Sequence, residues 1–216
     1  TQFQLEGYWP GDTAKFTLVG RYADNDTSDN ISFWRTDRVT DMSFSISPYD
    51  NINSLSKNPN RRVFDKDISG WNTEKVENMA GMFFDSHKFN RYLGNWNTGK
   101  VENMAYMFGG HDGNTEIGPE SGLSNWNTEN VKSMSCMFKN ASNFNVDISN
   151  WNTSSLEDTS EMFSNCFSFN KNLSTNEEIF LDLSASRYTN YPGDVNHTNP
   201  VWQVFTSSYT GKLEKI

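Results

Sequence analysis

The tripeptide Trp-Asn-Thr begins at Trp71, Trp96, Trp126 and Trp151, at separations of 25, 30 and 25 residues. A unit of this length cannot bury its own apolar face and must stack on its neighbours, so the period decides the architecture before any local reading does. The rest of each unit keeps register. Val76, Val101, Val131 and Leu156 stand five residues after each Trp, and Met79, Met104, Met134 and Thr159 stand three further on. Another step of three reaches Met82-Phe83, Met107-Phe108, Met137-Phe138 and Met162-Phe163. Phe89-Asn90, Phe144-Asn145 and Phe169-Asn170 close three of the units, and Ile68, Leu93, Leu123 and Ile148 each precede a Trp by three. A degenerate copy lies upstream, where Trp34, Thr36, Val39 and Met42 keep the offsets and Arg35 replaces Asn.

The expected fold is an α/β repeat solenoid of about five coils over 34–173, in one structural domain. The W-N-T-x-x-V stretch suits a short strand pairing in parallel with its copies, and Met-x-x-Met-Phe suits a short helical or 3₁₀ turn. Asn72, Asn97, Asn127 and Asn152 are expected to form an amide ladder that satisfies turn backbone groups. Terminal coils need covers. Residues 1–33, with Tyr8-Trp9-Pro10-Gly11 and the alternating run Lys15–Val19, read as an N-terminal β cap, and 174–216 as a C-terminal cap.

Composition narrows the function. Eighteen basic against 27 acidic residues leave a net charge of −9, which repels nucleic-acid phosphates. Mean hydropathy is low at −0.74, but 14% aromatic residues argue for a packed core and against disorder. No run reaches the roughly 18 apolar residues of a membrane helix. Cys136 and Cys166 make neither a disulfide framework nor a paired metal spacing, and read as buried thiols. His87, His111 and His197 have no zinc spacing, and Asp24–Asp29 lacks the glycine and terminal glutamate of an EF-hand loop. No metal or other cofactor is expected. Asn140-Ala141-Ser142 and Asn196-His197-Thr198 are sequons that matter only in a eukaryotic secretory pathway.

The residues Asp67-Ile-Ser-Gly-Trp-Asn-Thr, then Val76-x-x-Met-x-x-Met-Phe and a closing Phe-Asn, resemble the 25/26-residue repeat of bacterial surface proteins. That family is abundant in mycoplasma lipoproteins and is similar to the BspA-type leucine-rich repeats; the match covers roughly residues 62–173. The resemblance implies a right-handed, leucine-rich-repeat-like stack on a secreted or cell-surface protein, of a kind that includes lipid-anchored parents, and tied to adhesion or host interaction. It carries over no catalytic residue.

Chemistry is sparse in the repeat. Glu77, Glu102, Glu157 and Asp158 could mimic the paired carboxylates of a sugar-cleaving enzyme, but Lys132 interrupts the column and outward charges are ordinarily only solvated. The Thr73, Thr98, Thr128 and Thr153 column is too narrow for an ice-binding surface. The chain is therefore read as a non-enzymatic binding module for a host protein or glycan, with an inert structural spacer as the alternative and a carbohydrate-active enzyme as a remote one. Stacking fixes the repeated residues, so recognition must use what varies. The candidate binding residues are Glu74, Lys75, Lys100, Glu129 and Lys132 on a lateral face, with His111, Asp112, Asn114 and Glu116 in the glycine-rich insertion 109–120 of the third coil.

Overall fold

A computed structural model describes residues 14–15, 31, 35–49, 52–53, 64–111 and 116–171. The expected caps lie outside the described residues apart from Ala14–Lys15 and Ile31, as do Trp34, Asp112 and Asn114. Strand β1 (Ala14–Lys15) pairs in parallel with β2 (Val39–Asp41), with Ala14 opposite Val39 and Lys15 opposite Asp41. Two 3₁₀ turns lie at and beyond the end of the insertion, Pro119–Ser121 and Leu123–Asn125.

Most of the order comes from bonds between repeats. Parallel bridges run Asp41–Asn78–Asn103–Ser133–Asp158, one residue per repeat. From each bridge alternate N–H groups reach the next repeat: Met79, Gly81, Phe83 and Asp85 donate to the carbonyls of Asn103, Ala105, Met107 and Gly109 at 2.8–3.0 Å. Met104, Tyr106, Phe108 and Gly110 repeat the pattern toward Ser133, Ser135, Met137 and Lys139. The pairing thus lies in the Met-x-x-Met-Phe stretch, where the sequence suggested a helical turn.

That stretch also folds on itself. Met82, Phe84 and Ser86 donate to Met79, Gly81 and Phe83, so consecutive four-residue turns share the ladder. The third residue of the first turn takes positive φ in every repeat: Phe44, Gly81, Tyr106, Cys136 and Glu161, between 53° and 60°. Glycine suits that position, and a larger residue there costs on the order of 1–2 kcal/mol. Gly81 has a second reason, because a methyl group there would meet the Phe44 ring at 2.3 Å.

The W-N-T-x-x-V stretch turns where a strand was expected. Val76 N–H donates to the Thr73 carbonyl at 2.9 Å, and Asn72 Oδ1 accepts from Glu74 N–H at 3.0 Å. Asn97, Asn127 and Asn152 cap Gly99, Glu129 and Ser154 in the same way. The amides therefore serve their own turns, as short polar side chains do when the backbone needs a local acceptor. Threonine joins the repeats instead: the buried hydroxyls of Thr73, Thr98 and Thr128 donate forward to the carbonyls of Asn97, Asn127 and Asn152 at 2.9–3.0 Å. Tryptophan joins them backward, from Trp96, Trp126 and Trp151 Nε1 to Ile68, Leu93 and Leu123.

The core follows as columns. Trp96, Trp126 and Trp151 stack with centroids 6.3 Å apart and planes within 6°. Phe83, Phe108, Phe138 and Phe163 stack at 5.3–5.8 Å beside them. Trp71, the Val column and the Met residues are buried in the same cluster. Each such ring pair contributes roughly 0.5–1.5 kcal/mol beyond its buried area.

Candidate functional site

The insertion that lengthens the third repeat is tied to the preceding repeat at both ends. At its root the determining residue is Asp85, two positions after Phe83, with φ +56 and a wholly buried side chain. Its Oδ1 accepts from His111 N–H at 2.7 Å, and its Oδ2 lies 2.7 Å from His111 Nδ1. A carboxylate only accepts, so Nδ1 carries the proton and Nε2 points away from the pair. The His87 imidazole approaches Asp85 Oδ1 at 3.7 Å. Rings flank the His111 imidazole, Phe84 at 4.9 Å and Tyr49 at 5.2 Å.

Gly110 makes this junction possible. The equivalent position elsewhere is Asn140 or Asn165, but a Cβ at residue 110 would lie 2.7 Å from Asp85 Oδ1. The Gly110 carbonyl instead accepts from Asn140 Nδ2 at 2.6 Å, and Asn140 Oδ1 accepts from Asn165 Nδ2 at 2.7 Å. A polar line thus runs from the last described repeat into the insertion's root.

The exit is seated as well. Lys88 pairs with Glu116 at 2.5 Å, Gly118 N–H donates to Asn90 Oδ1 at 3.0 Å, and Leu93 N–H donates to the Ser121 carbonyl at 2.7 Å. Ile117 is buried in the core cluster. Residues 112–115, with the candidates Asp112 and Asn114, lie between these anchors and outside the described residues.

The other sequence candidates occupy a different stretch. Glu74, Lys75, Lys100 and Glu129 are exposed on the turns after each W-N-T. Glu129 accepts from Asn127 Nδ2, and Lys132 pairs with Glu102 at 2.7 Å, which holds the Lys132 ammonium above its ordinary value. These turns are fixed by Asn72, Asn97 and Asn127, whereas the insertion is fixed by Asp85, Lys88 and Asn90. The side chains that fix these turns are therefore not the ones that fix the insertion.

Asp85 and Tyr49 were missed in the sequence because neither belongs to the repeat motif, and Asn90 was read only as the closing residue of its unit. One signal was present: Asp85 and Gly110 share a register position with Asn140 and Asn165 and depart from it in opposite ways. Beside the junction, the Tyr106 hydroxyl bonds the Cys136 thiol, and that bond, with burial, pushes the phenol up to about 12. Burial raises the Cys136 thiol too, which keeps it protonated and unreactive. Among the described residues no group of three His, Cys, Asp or Glu side chains is arranged to hold a metal ion, and no helix is long and apolar enough to cross a membrane.

No curated protein and no solved structure matches the chain. A family model does, over residues 19–118 and 114–180, described as Mycoplasma protein of unknown function, DUF285. With most of its length inside that match, the chain belongs to this mycoplasma family of repeat-containing proteins.

Proposed function

We propose that the chain is an extracellular, surface-attached binding module that recognises a host protein or glycan, built as a right-handed solenoid of the BspA-like, leucine-rich-repeat kind. The stacking of Trp and Phe columns and the repeat-to-repeat ladder support the solenoid reading. The observation that carries the binding reading is the seating of the insertion at both ends. A loop retained only by drift needs no buried carboxylate at its root, and a buried, unpaired carboxylate is costly, so Asp85 and His111 are a built device. The same geometry favours a non-catalytic role, since the Asp85 carboxylate is occupied in holding both the backbone and the ring of His111.

Two surfaces are then available to a partner, the seated insertion and the charged turns around Glu74, Lys75, Lys100, Glu129 and Lys132. Both are broad and suit a macromolecule better than a small metabolite, which wants a concave apolar pocket. The test compares the intact chain with a variant lacking residues 110–118 in binding to immobilised host matrix proteins and glycans. Affinity at least tenfold lower in a folded deletion variant is expected. Unchanged affinity removes the insertion from the site, and failure of the intact chain to bind any of them favours the spacer.

A further inference from the structure

Position four before each Trp has a structural solution that two repeats abandon. In the regular repeats it is Asp67 or Asp147, whose Oδ1 accepts from Ser69 or Ser149 N–H at 2.9 and 3.0 Å and closes the turn ahead of the Trp. In the two repeats that flank the insertion the same position holds Tyr92 and Gly122, and Gly94 replaces the first serine. Stacking does not ask for these changes, because the Asp-Ser turn already works on either side.

What they produce together is a seated ring. Tyr92 is 44% exposed, one of the two large apolar side chains so exposed among the described residues. Its ring crosses from its own repeat onto the next. A Cβ on Gly122 would lie 2.5 Å from Tyr92 Cε2, and one on Gly94 would lie 2.5 Å from the Tyr92 hydroxyl. Gly122 also takes φ +73, a conformation that favours glycine. The hydroxyl accepts from Asn125 Nδ2 at 3.2 Å, which fixes the ring's far end and leaves its own proton free to donate.

Two exposed amides flank the ring in the two repeats it joins: Asn95, three residues after Tyr92, and Asn125, which holds its hydroxyl. Arg91, the residue before Tyr92, is bound by Asp65 through two bonds of 2.9 and 2.6 Å, so its charge is already answered.

We propose that Tyr92 on its Gly94–Gly122 seat, with the flanking Asn95 and Asn125 amides, is a docking platform for a neutral saccharide. The electron-rich face of an aromatic ring attracts the polarised C–H face of a sugar. Amides supply both a donor and an acceptor to adjacent hydroxyls. A ring already fixed at both ends loses little entropy on binding. Neutrality follows from the neutralised Arg91 and from the net charge of −9, which disfavours sialylated or sulfated chains. The proposal rests on the binding-module reading and names a ligand class for it.

The experiment titrates the full chain with neutral hexose and N-acetylhexosamine oligosaccharides by calorimetry, in wild type, Tyr92→Ala and Tyr92→Phe. At least one oligosaccharide is expected to bind, at least tenfold more weakly to Tyr92→Ala and within about threefold of wild type to Tyr92→Phe, which keeps the ring. Equal urea midpoints for Tyr92→Ala and wild type show that the loss is one of contact and not of folding. Undiminished binding by Tyr92→Ala overturns the platform, as does the absence of binding by wild type to every neutral oligosaccharide. If a host protein still binds in a manner sensitive to deletion of residues 110–118, the binding module survives while the platform falls.

Discussion

Trp126 Nε1 donates to the Leu93 carbonyl at 3.0 Å, and that carbonyl also accepts the backbone N–H of Trp96 at 3.1 Å. Both lone pairs of one buried oxygen are therefore used, one by its own repeat and one by the next. Ile68 and Leu123 repeat the arrangement. Replacing Trp126 by Phe removes the donor and part of the ring, and the expected cost is about 1–3 kcal/mol. Urea midpoints against wild type measure it, and an unchanged midpoint would mean that the indole bond contributes nothing.

Phe108 is 1% exposed between Phe83 and Phe138, at 5.3 and 5.8 Å. Phe108→Ala should destabilise the chain by about 3–5 kcal/mol through lost contacts and a cavity. Glu102→Ala breaks only the exposed, solvent-screened pair with Lys132 and should leave the stability nearly unchanged. Similar chemical denaturation curves for the two variants would contradict the assignment of inside and outside.

Gly110→Ala drives a methyl group to within 2.7 Å of Asp85 Oδ1, so the carboxylate must move and His111 loses its partner. The expected outcome is a destabilisation of about 1–3 kcal/mol with faster amide exchange at His111. Exchange confined to wild-type rates would show that the junction tolerates the methyl group and that glycine is not needed there.

The Asp67 and Asp147 carboxylates lie below their ordinary value of 3.8, held down by the hydroxyls and N–H groups of Ser69 and Ser149. A depressed folded value contributes stability that is complete above the unfolded value and is lost as pH falls through the folded one. The difference in urea midpoint between wild type and Asp67→Ala/Asp147→Ala should therefore be constant at pH 5 to 7 and shrink below pH about 3.8. A difference that stays constant to pH 2 would remove the carboxylate charge from the account.

The columns of Trp, Val, Met and Phe were legible because a repeated apolar residue at one offset has one inward place in a stack. Direction of bonding was not. Thr73 and Asn72 are adjacent, polar and equally periodic, yet the threonine hydroxyl spans repeats while the amide closes its own turn. Only the backbone path, which turns at Glu74 where a strand was expected, separates those roles. The Asp85–His111 junction was hidden for the opposite reason: it depends on two residues that occur once, brought together by a glycine whose value lies in the side chain it lacks.

Indole bonds point to the preceding repeat and hydroxyl bonds to the following one, so every unit is both a terminus for its neighbour and a template for the next. Adding or removing one whole unit of 25 residues rebuilds all of these bonds at a new seam. Any other change of length has no matching seam and must leave the stack as a loop, as the five extra residues between Trp96 and Trp126 do. Length in such a protein evolves in steps, and surface variety enters in the remainders between steps.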